Sequence, residues 1–124
     1  MDFFTPQEIK PNDIAVVGIP LDTNSSFLQG SGKAPQFIRE ALHSESSNLW
    51  TENLVDLGSA DNWKLLEDIS CAEGKDAFEE IELVIEQLLS KDAVPICLGG
   101  DHSITAPVVR QFLEKFPNLN VLHL

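Results

Sequence analysis

The chain has 124 residues, 43% of them hydrophobic and 23% charged, which is the balance of one folded unit and not of a disordered chain. Twenty acidic residues against eight basic ones give a net charge of −12. A surface that negative repels nucleic-acid phosphate and anionic lipid, so both are excluded as partners, and it suits a cation or a cationic small molecule.

The amino-terminal stretch carries Asp2, Glu8 and Lys10 among few apolar residues. It lacks the basic segment and apolar core of a signal peptide. No apolar run approaches the roughly 20 residues of a membrane span. The two cysteines, Cys71 and Cys97, do not suggest a disulfide scaffold and fit a reducing cytoplasm, with Cys97 reading as a small buried hydrophobe.

Four short apolar runs follow in order, at residues 14–19, 54–57, 94–98 and 121–124. They are nearly continuous and not alternating, as in strands covered on both faces. Helices are expected between them. Residues 35–43 open on a proline suited to a first helical turn. Residues 76–90 place Phe78, Ile81, Ile85, Leu88 and Leu89 in a helical stripe. Residues 103–116 place Val108, Val109, Phe112, Leu113 and Phe116 on one face, provided Pro107 falls in the first turn.

Strands alternating with helices imply right-handed βαβ units and a parallel sheet. Two long connections, residues 20–34 and 58–75, are expected to leave the carboxyl ends of the first two strands, the edge where α/β sheets bind ligands. The last run reads as an inner strand that stops before its own carboxyl-end loop, so the sheet is expected to be interrupted there.

The sharpest motif is Leu98-Gly99-Gly100-Asp101-His102-Ser103, directly after a strand and opening a helix. Two glycines permit a tight turn and close backbone approach. Asp101 or Ser103 suits a helix cap. A neutral imidazole at His102 is a good ligand for a divalent metal, and Asp101 is placed to orient it as a hydrogen-bond acceptor. The plain reading is a glycine turn with a capping aspartate and an incidental histidine. Phosphate binding, and with it a nucleotide domain, is disfavoured because Asp101 sits where the anion would lie and no loop lysine follows.

This motif resembles the first metal-binding signature of the ureohydrolases, the arginase, agmatinase and formiminoglutamase family. Two upstream segments agree. Residues 18–30, Gly-Ile-Pro-Leu-Asp-Thr-Asn-Ser-Ser-Phe-Leu-Gln-Gly, resemble the family's loop after the first strand, above all in plant-type arginases. Residues 34–42, Ala-Pro-Gln-Phe-Ile-Arg-Glu-Ala-Leu, resemble the helix after it. Val121-Leu122-His123-Leu124 is similar to the strand leading into the family's Asp-Ala-His-x-Asp signature.

The resemblance implies a three-layer α/β fold with a parallel sheet and helices on both faces. Residues 1–124 then form the amino-terminal part of a single arginase-like domain, incomplete before the second metal signature. It implies a binuclear manganese centre at the strands' carboxyl ends, whose bridging water attacks a guanidinium carbon to release urea from arginine, agmatine or a relative. It also implies a homo-oligomer. Of the family's ligands only His102 maps onto this chain, and one imidazole cannot hold a manganese pair. The chain alone is therefore expected to be inactive, the alternative being a non-catalytic arginase-fold module that acts through self-association. Asn24, Ser25, Ser26 and Gln29 are candidates to face substrate, or to form turns through side-chain bonds to backbone. Asp22 reads as a turn or cap residue, His43 as a helix end, His123 as a packing residue, and Trp50 and Trp63 as packing residues flanking the second strand.

Overall fold

Residues 3–71 and 76–124 are described by a computed structural model. Three parallel strands lie in the order β2-β1-β3, where β1 is Ile14–Gly18, β2 is Trp63–Leu65 and β3 is Val94–Leu98. The central strand pairs Ile14 with both Trp63 and Val94, and its last residue Gly18 with Leu98. Three helices connect and flank them: α1 (Ala34–Leu42), α2 (Ala77–Ser90) and α3 (Thr105–Lys115).

Local chemistry explains where the helices start. Asp76 caps α2 by accepting a hydrogen bond from the Phe78 amide at 2.9 Å, and Glu79 and Glu80 complement the helix dipole in its first turn. Pro35 is the second residue of α1, where its missing N–H costs nothing. Pro107 is the third residue of α3, inside the first turn as its chemistry requires.

The strand order fixes the layers. The chain steps from β1 to β2 on one side, then back over β1 to β3 on the other. With right-handed crossovers, α1 and α2 must then lie on opposite faces. Side chains agree. Ala15, Val17 and Ile19 enter a core with Ile81, Ile85 and Leu88 of α2, joined by Val108 and Phe112 of α3. Each of the large α2 side chains contributes about 1.5–3 kcal/mol through burial. On the opposite face Ile14, Val16, Leu65, Ile96 and Leu98 meet Ile38 and Leu42 of α1 around a cavity of about 290 Å³. The fold is thus α/β, a parallel sheet with helices on both faces. Cover on the α1 side is partial, since Val94 and Ile96 of the edge strand are 55% and 46% exposed.

Three sequence expectations need correction. Residues 54–57 are not a strand. The Leu54 amide bonds back to Thr51 O at 2.9 Å, Leu54 has φ 60°, and Trp50 bridges Asp56 in antiparallel sense, so the run forms a reverse turn. The second strand comes later, and Trp63 lies within it instead of beside it; its indole donates to Leu57 O at 2.7 Å, whereas Trp50 is exposed. The expected connection 58–75 therefore contains β2, and residues 72–75 lie outside those described. Residues 121–124 form no strand: Val121, Leu122 and Leu124 are exposed, because nothing seats them on the edge of β3.

Candidate functional site

The carboxyl edge of the sheet is built where β1 and β3 end side by side. The Ile19 amide donates to Leu98 O at 2.8 Å, carrying the pairing past the strand, and the Asp101 amide donates to Leu21 O at 2.8 Å. Gly100 makes this second approach possible. A Cβ there would lie 1.9 Å from Leu21 O, so no side chain fits without parting the two backbones. The glycine pair thus serves close packing of one loop on another.

Asp101 follows as the cap of a short 3-10 turn, His102–Ile104, that leads into α3. Its Oδ1 accepts from the Ser103 amide at 2.9 Å and from the Ser103 hydroxyl at 2.5 Å. Its Oδ2 accepts from the Asn24 amide at 2.9 Å, and the Asn24 side-chain amide donates to Ser103 Oγ at 3.1 Å. Burial pushes the Asp101 carboxyl up, but the bonds from Ser103 and Asn24, with His102 nearby, outweigh it and hold the group below the usual carboxylate range. The aspartate expected to orient His102 is instead engaged with Ser103 and the loop after β1. The ring of His102 has a different neighbour, Thr105 Oγ1 at 3.5 Å from Nδ1.

His102 itself is exposed at this edge. His123, expected to pack within a strand, stacks on it: the ring centroids are 5.4 Å apart and the planes 27° from parallel. The loop after β1 is shaped by Asp22, whose Oδ2 accepts from the amides of Gly30 at 2.6 Å and Gly32 at 3.2 Å. Asp22 is a turn-forming residue, as its type suggested. The loop brings Asn24, Ser25 and Ser26 around an open cavity of about 490 Å³ shared with Asp101, His102 and Ser103. Gln29 is exposed and lies outside that lining. Phe27 and Leu28, not singled out from sequence, join it and are largely exposed.

An ion pair at the same edge also escaped the sequence reading. Arg39 of α1 meets Asp68 beyond β2 through two contacts, Nη1 to Oδ1 at 2.5 Å and Nη2 to Oδ2 at 2.7 Å. Gly18 leaves room for it, since a Cβ there would lie 1.9 Å from Asp68 Oδ1. Arg39 stood in the quoted α1 segment, but Asp68 lay in a stretch read as loop, so the partner was hidden.

The residues present do not fit a binuclear metal centre. His102 offers one imidazole, the Asp101 oxygens are taken by amides and a hydroxyl, and among the described residues no three His, Cys, Asp or Glu side chains converge to hold an ion. Hard divalent ions such as manganese need several oxygen donors in fixed geometry. The edge presents the imidazole of His102, with that of His123 stacked on it, within a loop framework locked by Asp101.

Comparison with known proteins places this framework. A family model described as the Arginase family matches residues 12–124. Arginase 1, mitochondrial, of Arabidopsis thaliana is 37% identical over 130 residues, covering 89% of this chain and 35% of that protein. A guanidinobutyrase of Pseudomonas aeruginosa is 30% identical over 129 residues, covering 96% of this chain and 38% of its own length. The structure of an arginase from Medicago truncatula superposes with a TM-score of 0.79 at 32% identity, over 90% of this chain and 38% of that one. The chain thus spans about a third of the length of the curated relatives it matches. Matched over nearly all of its residues and sharing the sheet that carries the Gly-Gly-Asp-His turn, the chain belongs to the arginase family.

Proposed function

We propose that this chain is the amino-terminal part of a manganese-dependent ureohydrolase domain whose substrate is a small guanidino compound of the arginine or agmatine type. One observation carries the reading: a glycine turn presents the imidazole of His102 at the carboxyl edge of a parallel sheet, locked to the loop after β1 by the bonds that Asn24 donates to Asp101 and Ser103. His102 would supply one ligand, and the oxygen ligands that manganese requires would come from outside these 124 residues. A net charge of −12 favours a cationic substrate. The printed activities of the relatives, arginase and guanidinobutyrase, support the same substrate class. Two free cysteines suit a reducing compartment such as the cytoplasm. Among the described residues no helix is long and apolar enough to cross a membrane.

Residues 1–124 alone are then inactive. With excess manganese, no urea is expected from arginine or agmatine, and turnover by the isolated chain would refute that part. The parent assignment is tested by the coding sequence immediately downstream. Asp-Ala-His-x-Asp or a close variant is expected there, and its absence overturns the enzyme reading.

A second reading, an arginase-fold module that acts by self-association, is favoured by the edge strand β3, where Val94 and Ile96 are left uncovered. Light scattering after size-exclusion chromatography decides it, because a stable monomer excludes this reading.

A further inference from the structure

The sheet has two unlike edges. Beside β2 lies the amino-terminal segment, with Phe4 bridging Leu66 in parallel sense and its amide donating to Leu65 O at 2.9 Å. Beside β3 no strand is seated among the described residues. The Val94 amide donates to Asp13 O and the Ile19 amide to Leu98 O, each at 2.8 Å, so Val94, Ile96 and Leu98 turn their backbone groups toward β1. The residues between them point the other way. The carbonyls of Pro95 and Cys97 and the amides of Cys97 and Gly99 therefore face outward.

Proline makes this edge directional. Pro95 has no N–H, so the first half of the edge offers only acceptors, and the donors stand at Cys97 and Gly99. Such an edge matches its own reversed copy. About a two-fold axis at Cys97, the Cys97 amide of each copy donates to the Cys97 carbonyl of the other, and the Gly99 amide of each to the Pro95 carbonyl. A register centred on Pro95 leaves both Pro95 carbonyls without a donor. The Cys97 register also sets Ile96 opposite Leu98 of the other copy on the α1 face, where Ile96 is half exposed and both side chains line the apolar cavity. From Ala93 to Gly100 the chain carries no charged side chain, so two chains of net −12 meet there without opposing like charges.

We propose that a second copy of this chain pairs with the open edge of β3, antiparallel and two-fold about Cys97, in the register that Pro95 sets. This pairing rests on the self-association reading above and gives it a surface and a partner.

Size-exclusion chromatography with light scattering gives the oligomeric state, and amide exchange followed by NMR gives the surface. A dimer is expected in which the Cys97 and Gly99 amides are protected. Dilution to monomer should speed their exchange about tenfold or more, while the Ile19 amide, held by Leu98 O within each chain, stays protected. Ile96→Lys puts a charge at the contact in both copies and should weaken the dimer about tenfold or more. Leu83→Lys, the same kind of change on the exposed surface of α2, should not. Circular dichroism checks that each variant is folded, and the exchange pattern of the unsubstituted chain decides the surface without them. A stable monomer overturns both the self-association reading and the pairing. A dimer whose Cys97 and Gly99 amides exchange freely, or one that folded Ile96→Lys leaves unchanged, overturns the pairing alone.

Discussion

Replacing Gly100 with alanine puts a methyl group against backbone that has nowhere to go. The added Cβ would lie 1.9 Å from Leu21 O, 2.7 Å from Leu21 C and 3.0 Å from Leu21 N. Ordinary contacts begin near 3.4 Å, so the two segments must part by more than an ångström. The Asp101 amide, 2.8 Å from Leu21 O, then loses its acceptor. Overpacking costs about 1–3 kcal/mol and a lost hydrogen bond about 1 kcal/mol, which together come to about 2–4 kcal/mol. For a chain of this size each kcal/mol moves Tm by about 4 °C, so a fall of roughly 10 °C is expected in a thermal melt. Hydrogen exchange adds a local readout, because the Asp101 amide should lose its protection. Gly30→Ala is the contrast: nothing lies within 4 Å of that Cβ, and the penalty comes only from φ 141°. It should destabilise while leaving the Asp101 amide protected. A Tm loss below about 2 °C for Gly100→Ala, with that amide still protected, would refute the close approach.

Asp101→Ala removes the cap of the turn and the tie to Asn24; a loss of about 2 kcal/mol in urea denaturation is expected, with faster exchange of the Asn24 amide. Ile85→Ala empties a fully buried position of α2 and should cost about 2–5 kcal/mol, and a change below 1 kcal/mol would contradict the core described. Burial pushes the Cys97 thiol up to about 11 and also raises Cys71, with Asp68 and Glu80 adding to the latter. A raised thiol stays protonated below its pKa, so alkylation of native protein at pH 8 should be slow at both sites. It should rise about tenfold per pH unit for Cys97 until that value is reached. Mass spectrometry should find Cys71 modified first, and prior labelling of Cys97 would overturn the burial assignment.

What the sequence revealed and what it hid divide along the range of the interactions. Ile81, Ile85 and Leu88 announce α2 because helical spacing is a local signal. The runs that became β1 and β3 were legible because both are five residues of nearly unbroken apolar or small character. β2 was not, since it has three residues with Lys64 in the middle and owes its existence to pairing with Ile14, Ala15 and Val16. Leu54 to Leu57 looked the better strand, but over four residues an apolar run does not distinguish a turn from a strand. At the site, the Gly-Gly-Asp-His turn showed in the sequence while the partners of Asp101 did not. Its bond to Asn24 spans 77 positions, and no local pattern encodes such a contact. His123 followed the same logic: its neighbour is set by how the tail returns along α3.

The sheet order has a consequence during synthesis. Its central strand is made first, yet the partner on one side, β3, follows 80 residues later, as the pairing of Gly18 with Leu98 records. At about 5–20 residues per second the ribosome takes roughly 4–16 s to deliver that partner. Throughout that interval the apolar segment from Ile14 to Ile19 has one hydrogen-bonding edge open, so the order of synthesis leaves its central strand half-paired long before the carboxyl edge exists.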